Sequence, residues 1–176
     1  MPEPGTEPTH ASGENPPMTP RRGLAASAAY SYACAGCGRC CRHQRIRVNP
    51  YETWRLARNR GLTTTEFLRR HTTHGGTELR RRADGRCVFL DGARCGVHAD
   101  RPLVCRLYPL GLSTRADAAD EYHELAPHPR TAGRYGTAGT IADYLRSQDV
   151  EPFVRAATAY RDLLVALVAL AAAAHD

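Results

Sequence analysis

The chain has 176 residues, enough for about one domain with a modest hydrophobic core, and 42% of them are apolar. Its net charge is +6, yet all 24 basic residues are arginine and alanine is abundant. That combination is the mark of a GC-rich genome more than of a specialised basic surface, so it argues weakly for a nucleic-acid partner, and Arg80-Arg81-Arg82 reads as a solvated strand end. Seven cysteines, an odd number in a chain that is not tiny, argue against a disulfide scaffold.

Residues 1–29 are rich in Pro, Gly, Ser, Thr and Glu and show no periodicity, so a disordered tail is predicted there. "MTPRRGLAASAAYSYAC", from Met18, imitates a signal peptide, but its centre is alanine and serine with a single leucine, too weak for an export core. A cysteine-rich domain is predicted over residues 30–148. After the first cysteines, Ile46 and Val48 alternate with polar residues. "NPYETWRLARNRG" predicts a helix capped by Asn49, with Pro50 at its first position, Glu52 completing a capping box and Gly61 ending it. Thr63 and Glu66 open a second helix, running to about Thr72, with Leu62 and Phe67 spaced as a hydrophobic staple.

"TELRRRADGRCVFLDGARCGVH" predicts short strands around the turn pairs Asp84-Gly85 and Asp91-Gly92, with Cys87 on one strand and Cys95 just past the second turn. "DRPLVCRLYP" predicts one helical turn capped by Asp100 and stopped by Pro109. Residues 112–139 read as loop, and "TIADYLRSQ" as a short helix capped by Thr140. Residues 149–176 form a third region, dominated by a helix over about 151–174. Its stripe of Phe153, Ala156, Ala157, Tyr160, Leu163, Leu164 and Leu167 is expected to face the core, with contact to a protein partner or a second copy as the alternative. "LLVALVALAAAA", Leu163 to Ala174, is too short to span a bilayer. The expected class is α+β: a small, irregular, metal-stapled domain with short β-hairpins, several α-helices and a long C-terminal helix. Cytoplasm is the expected compartment, where clustered thiols mean metal or redox chemistry.

The cysteines follow the pattern C-x2-C-x2-C-C and then C-x7-C-x9-C. Short C-x2-C loops let two sulfurs converge on one metal while turn amides point back at the thiolates. Gly36 and Gly38 lie inside these loops, where a positive φ is needed. Seven ligands exceed the roughly four of one zinc ion. Adjacent side chains diverge in ordinary backbone conformations, so Cys40 and Cys41 are expected to face different metals, or one of them is spare. One zinc with spare thiols, two metals sharing thiolates and one iron–sulfur cluster all remain open. The ferredoxin run needs x3 before its fourth cysteine and a proline after it; neither is present. Arg101 and Arg106 flank Cys105 and are candidates to hydrogen-bond the thiolates and offset their charge. His98, three residues after Cys95, is a candidate ligand, with His123, His128 and His43 behind it.

"CAGCGRCC", followed by "GRCVFLDGARCGVHADRPLVCRLYP", resembles the YkgJ-type cysteine-cluster proteins, bacterial proteins described as zinc- or iron-chelating. The likeness runs from about Cys34 to Pro109 and extends through "GTIADYLRSQ" to residue 148. It implies that Cys34, Cys37, Cys40, Cys41, Cys87, Cys95 and Cys105 form one metal site, supported by Arg101, Pro102, Arg106, Tyr108 and Pro109. Many relatives carry a tyrosine at position 98, which weakens His98 as a ligand, and a further cysteine after the tyrosine-proline. Here "HELAPHPRTAGRYG" has none, so His123 or His128 substitutes or the position is lost. A similar cluster occurs in the longer flagellin lysine methylases, and the likeness to them is confined to the cysteine region.

The function expected is binding of zinc or iron, with an iron–sulfur cluster as one form of the iron. A redox or protein-methylation enzyme and a thiol–disulfide redox protein are the alternatives. No P-loop, H-E-x-x-H or nucleophile elbow is present, and "GRYGTAG" lacks the preceding strand that a methyl-donor loop needs, so a binding role is favoured over catalysis. Metal ion is the expected partner, nucleic acid is disfavoured, and no membrane span is expected.

Overall fold

A computed structural model describes residues 19–42, 44–114, 120–126, 128 and 130–174. Helix α1, Pro50–Asn59, starts where the sequence places it. The Asn49 side chain accepts the Glu52 amide, the Glu52 carboxylate accepts the Asn49 amide, and Pro50 takes the first turn. Helix α2, Thr64–His71, has the same reciprocal cap between Thr63 and Glu66. Leu62 packs against the core cluster that holds Phe67. The two helices bury Leu56, Ala57 and Phe67.

Strands β2 (Thr72–Thr73) and β3 (Glu78–Leu79) make a short antiparallel hairpin. Residues 46–48 extend it, because the Leu79 amide reaches the Ile46 carbonyl and the Val48 amide the Thr77 carbonyl. The alternation seen at Ile46 and Val48 is thereby explained: both side chains are buried. β4 (Leu90–Asp91) and β5 (Arg94–Cys95) form the hairpin predicted at Asp91-Gly92. Cys95 lies on β5 itself, and Cys87 sits in an isolated bridge to Arg81 rather than in a ladder.

A 3-10 turn, His98–Asp100, leads to α3, Leu103–Leu107. Asp100 does not cap α3. Its carboxylate is held by Arg55 at 2.7 Å and Asn59 at 2.8 Å. The amide at the start of α3, Leu103, instead donates to the buried Glu52 carboxylate at 2.7 Å, so α1 supplies the cap from 51 residues away.

The stretch 112–139 is not all loop. β6 (Leu110–Ser113) pairs with β7 (Glu121–Glu124), and β8 (Arg134–Thr140) pairs with β1 (Ala29–Ala33). Both are two-stranded ladders, and the second joins chain segments about a hundred residues apart. The predicted tail also tightens before residue 29. Leu24 bridges Tyr122, and Arg21 grips the buried Glu124 with its amide and guanidinium at 2.6–3.1 Å. Burial alone would push the Glu124 carboxyl up; the Arg21 bonds outweigh it and hold the group below its ordinary value. Residues 1–18 of the expected tail lie outside the described residues.

Two apolar clusters result. One gathers Ile46, Val48, Leu56, Ala57, Phe67, Leu79, Phe89 and Val97, with Cys87, Cys95 and Cys105 on its border. The other gathers Tyr30, Leu110, Tyr122, Ile141 and Tyr144. Helix α4 (Ile141–Ser147), capped by Thr140 and Asp143, contributes to the second. Helix α5, Glu151–Ala173, is anchored through Phe153, which is fully buried edge-on to Tyr51 and beneath the Arg106 guanidinium at 4.0 Å. The expected core stripe continues half-buried through Ala156, Ala157 and Tyr160 and ends there. Leu163, Leu164 and Leu167 are 54%, 43% and 51% exposed, because a 23-residue helix, about 35 Å long, outruns the small body it leaves.

Candidate metal centre

The site begins with a turn. Gly38 adopts φ 66°, and the 3-10 turn Arg39–Cys41 follows it directly. A Cβ on Gly38 would stand 2.9 Å from the Ala93 carbonyl oxygen and 3.1 Å from Leu90 Cδ1, so this glycine supplies both the left-handed backbone and the close approach to the β4–β5 hairpin. In this turn Cys40 Sγ and Cys41 Sγ are 3.9 Å apart. The divergence expected of adjacent side chains is not found at this pair.

Backbone bonds join the two halves of the cysteine pattern. The Cys87 amide donates to the Cys41 carbonyl at 2.9 Å, and Arg42 bridges Arg86. Cys95 then arrives from β5, and Cys105 from α3. The Cys105 thiol is pushed well above its ordinary value, first by burial and then by Cys87, Cys95 and Cys40. Cys41 is raised by its bond to Cys40, by burial and by the charges of Cys40, Cys105 and Cys95. Cys87 and Cys95 are raised by burial, against amides of Phe89 and Leu90 at one and of Val97 at the other. Cys40 goes the other way, to about 7, because the Cys41 thiol donates to it, with Arg101 adding positive potential. Cys40, Cys41, Cys87, Cys95 and Cys105 therefore share one electrostatic neighbourhood, and Arg101 acts on both Cys40 and Cys95.

Cys37 lies beside Cys40. Burial raises it, and the amides of Ala132 and Arg39 with the Thr131 hydroxyl more than reverse that. Cys34 is exposed at the rim, where its sulfur accepts the Gly36 amide at 3.4 Å. Tyr32 contacts Tyr135 and Tyr108 edge-on at 5.0 and 6.2 Å, and this tyrosine wall borders the first cysteines. Burial and then the charge of Cys34 raise Tyr32, and Cys40 and Cys37 help raise Tyr108. Thr131, Ala132 and Tyr32 had no signal in the cysteine spacing, since they reach the site through the β1–β8 ladder and the loop before it.

The arginines differ. Arg101 donates to the His98 carbonyl at 2.8 Å and to Gln148 at 2.6 Å, so its effect on the sulfurs is through its field. Arg106 is buried and donates to the carbonyls of Ala99, Arg101 and Gln148, none of them a sulfur. His98 is exposed with Nδ1 3.2 Å from Arg101. His123 lies over Gly111, its cross-strand partner, and His128 accepts the Arg130 amide. His43 lies outside the described residues.

All seven cysteines are unpaired thiols. Among the described residues, no three or more His, Cys, Asp or Glu side chains stand in a ready-made metal polyhedron. The chemistry of the donors still suits a soft metal ion: amides aimed at sulfur, a cationic guanidinium nearby, and several thiols whose mutual repulsion a cation would relieve.

These features define a cysteine-cluster domain, in which short irregular elements converge on thiols. The chain belongs to the CxxCxxCC family, described as "putative zinc- or iron-chelating domain", whose match covers residues 33–127, more than half of the chain. Metal binding is the property this membership carries, and the YkgJ-type resemblance is consistent with it. No curated protein and no solved structure matches the chain.

Proposed function

We propose that the chain binds zinc or iron, the latter as ions or an iron–sulfur cluster, through Cys40, Cys41, Cys87, Cys95 and Cys105, with Cys37 and Cys34 completing the set at the rim. The observation that carries this reading is the 3.9 Å between the Cys40 and Cys41 sulfurs. Two zinc–sulfur bonds of about 2.3 Å at a tetrahedral angle put their sulfurs about 3.8 Å apart. The adjacent pair therefore suits one shared metal better than two separate ones. Amides directed at Cys37, Cys87 and Cys95 would fix the thiolates and temper their charge, and Arg101 would offset what remains.

The role assigned to the metal is structural. It would tie the first cysteine turn, the β4–β5 hairpin and α3 along the edge of the first apolar cluster, as closed thiolate sites do in domains too small to hold themselves. Cysteines that hold a metal as thiolates suit a reducing compartment, and the compartment proposed is accordingly cytoplasmic. Anaerobic purification followed by elemental analysis and a visible spectrum tests the reading. Colourless protein with stoichiometric zinc supports the zinc form. Iron with acid-labile sulfide and a broad band near roughly 400 nm supports the cluster. Folded protein with no stoichiometric metal overturns both.

A further inference from the structure

We propose that the outer half of α5 is an interface between two copies of this chain. Every residue from Asp162 to Ala174 is exposed. Six are large and apolar: Leu163, Leu164, Val165, Leu167, Val168 and Leu170, each 43–69% exposed. The four leucines, which share one face, leave roughly 400 Å² of apolar surface in water, within the range of the largest patch on a typical monomer. The segment also lies outside the matched region 33–127.

The distribution around the helix selects the occupant. Phe153, Ala156, Tyr160, Leu163, Leu167, Leu170 and Ala174 recur at alternating spacings of three and four, which is a heptad seam. All four leucines of the segment fall within about 120° of the circumference, and Val165, Ala169 and Ala172 occupy the far side. The positions flanking the seam are Ala157, Ala159, Leu164, Ala166 and Ala171, small or apolar, which lets a second backbone approach closely. Phe153, the first residue of the seam, is buried in the body, so the seam carries a core face outward into solvent. A second copy presents the same seam, and a two-fold pairing closes it without leaving an open edge.

Lipid fits less well. Glu151–Ala173 has the length and apolar character of a membrane-crossing helix. However, its uncharged run, Leu163 to Ala174, rises only about 18 Å against a hydrocarbon core of about 30 Å. Filling that thickness would draw Arg155, Arg161 and Asp162 into it. Nor does a lipid surface call for leucine on one side and alanine on the other.

The proposal does not depend on the metal, whose content is measured alongside. Sedimentation equilibrium of the full-length, reduced protein across micromolar concentrations should give the mass of two chains. L163E/L167E/L170E should give one chain with unchanged far-UV helicity and metal content, and V165E/A172E, on the far side, should still give two. A one-chain mass for the unaltered protein at every concentration overturns the proposal whether or not the triple variant folds. So does a two-chain mass that survives in a folded triple variant. Capture of a one-chain species by phosphatidylcholine–phosphatidylglycerol vesicles would assign the helix to lipid and equally overturn it.

Discussion

Neighbouring side chains point to opposite faces of a strand; Cys40 and Cys41 lie instead in a 3-10 turn entered through left-handed Gly38, with their sulfurs 3.9 Å apart. Gly36 and Gly38 separate the two demands on such a glycine. Gly36, at φ 64°, has nothing within 4 Å of an added Cβ, whereas Gly38 has the Ala93 carbonyl at 2.9 Å. G36A should therefore cost only the backbone strain, about 1–2 kcal/mol, and G38A about 3 kcal/mol with loss of bound metal. Urea unfolding with parallel metal analysis checks both, and equal costs would contradict the geometry. His71 carries a pH dependence away from the cysteines. It lies against Phe67 and Phe89 at 5.2 and 5.1 Å, and burial, then Arg60, Arg70 and Arg80, hold its pKa below the ordinary value. A depressed histidine means that the unfolded chain takes up the proton first. Its contribution is thus present above about pH 6.5 and is lost as pH falls through that value toward the folded pKa. The melting temperature should drop between roughly pH 7 and pH 5.5, and H71F should flatten that part of the profile relative to the unaltered protein. The cysteines themselves were legible in the sequence because their spacing is local. The donors facing Cys37, Thr131 and Ala132, were not, since nothing near them in the chain encodes a sulfur about a hundred residues away.

At the scale of elements, the same contrast holds. The caps at Asn49, Thr63 and Thr140 could be read directly because both halves of each lie within three residues. The cap of α3 could not, because Glu52 supplies it from 51 residues away and leaves Asp100 for Arg55 and Asn59. β6–β7 and β8 were hidden among glycine and polar residues: Leu110 and Tyr122 are the buried apolar anchors of β6 and β7, too few to set up an apolar alternation. Arg106 is the hinge between these elements. Its donors satisfy three carbonyls of the segments before α3 and after α4, and its guanidinium covers the Phe153 ring. R106M keeps much of the side-chain volume but leaves those carbonyls without donors. It should destabilise the protein by about 3 kcal/mol, and loosen the base of α5. Hydrogen exchange at residues 149–155 would report that loosening. Unchanged protection would mean that Phe153 packing alone holds the helix.

Across the whole molecule, the core is split into two small apolar clusters, and Cys87, Cys95 and Cys105 line the edge of the first. The first cysteine turn is joined to the Cys87 segment by the Cys41–Cys87 backbone bond and the Arg42–Arg86 bridge, and a metal shared by the sulfurs would add to those ties. Metal removal should therefore unfold residues 34–110 while the helical content of α5 persists. The most direct measurement is a count of reactive thiols in native, anaerobically purified protein, before and after a strong chelator, with the released metal measured in the same sample. The account predicts that most of the seven thiols are protected until the chelator acts, and that they become reactive together as stoichiometric zinc or iron is released. Seven thiols that react at once in a folded protein, with no metal released, would contradict it.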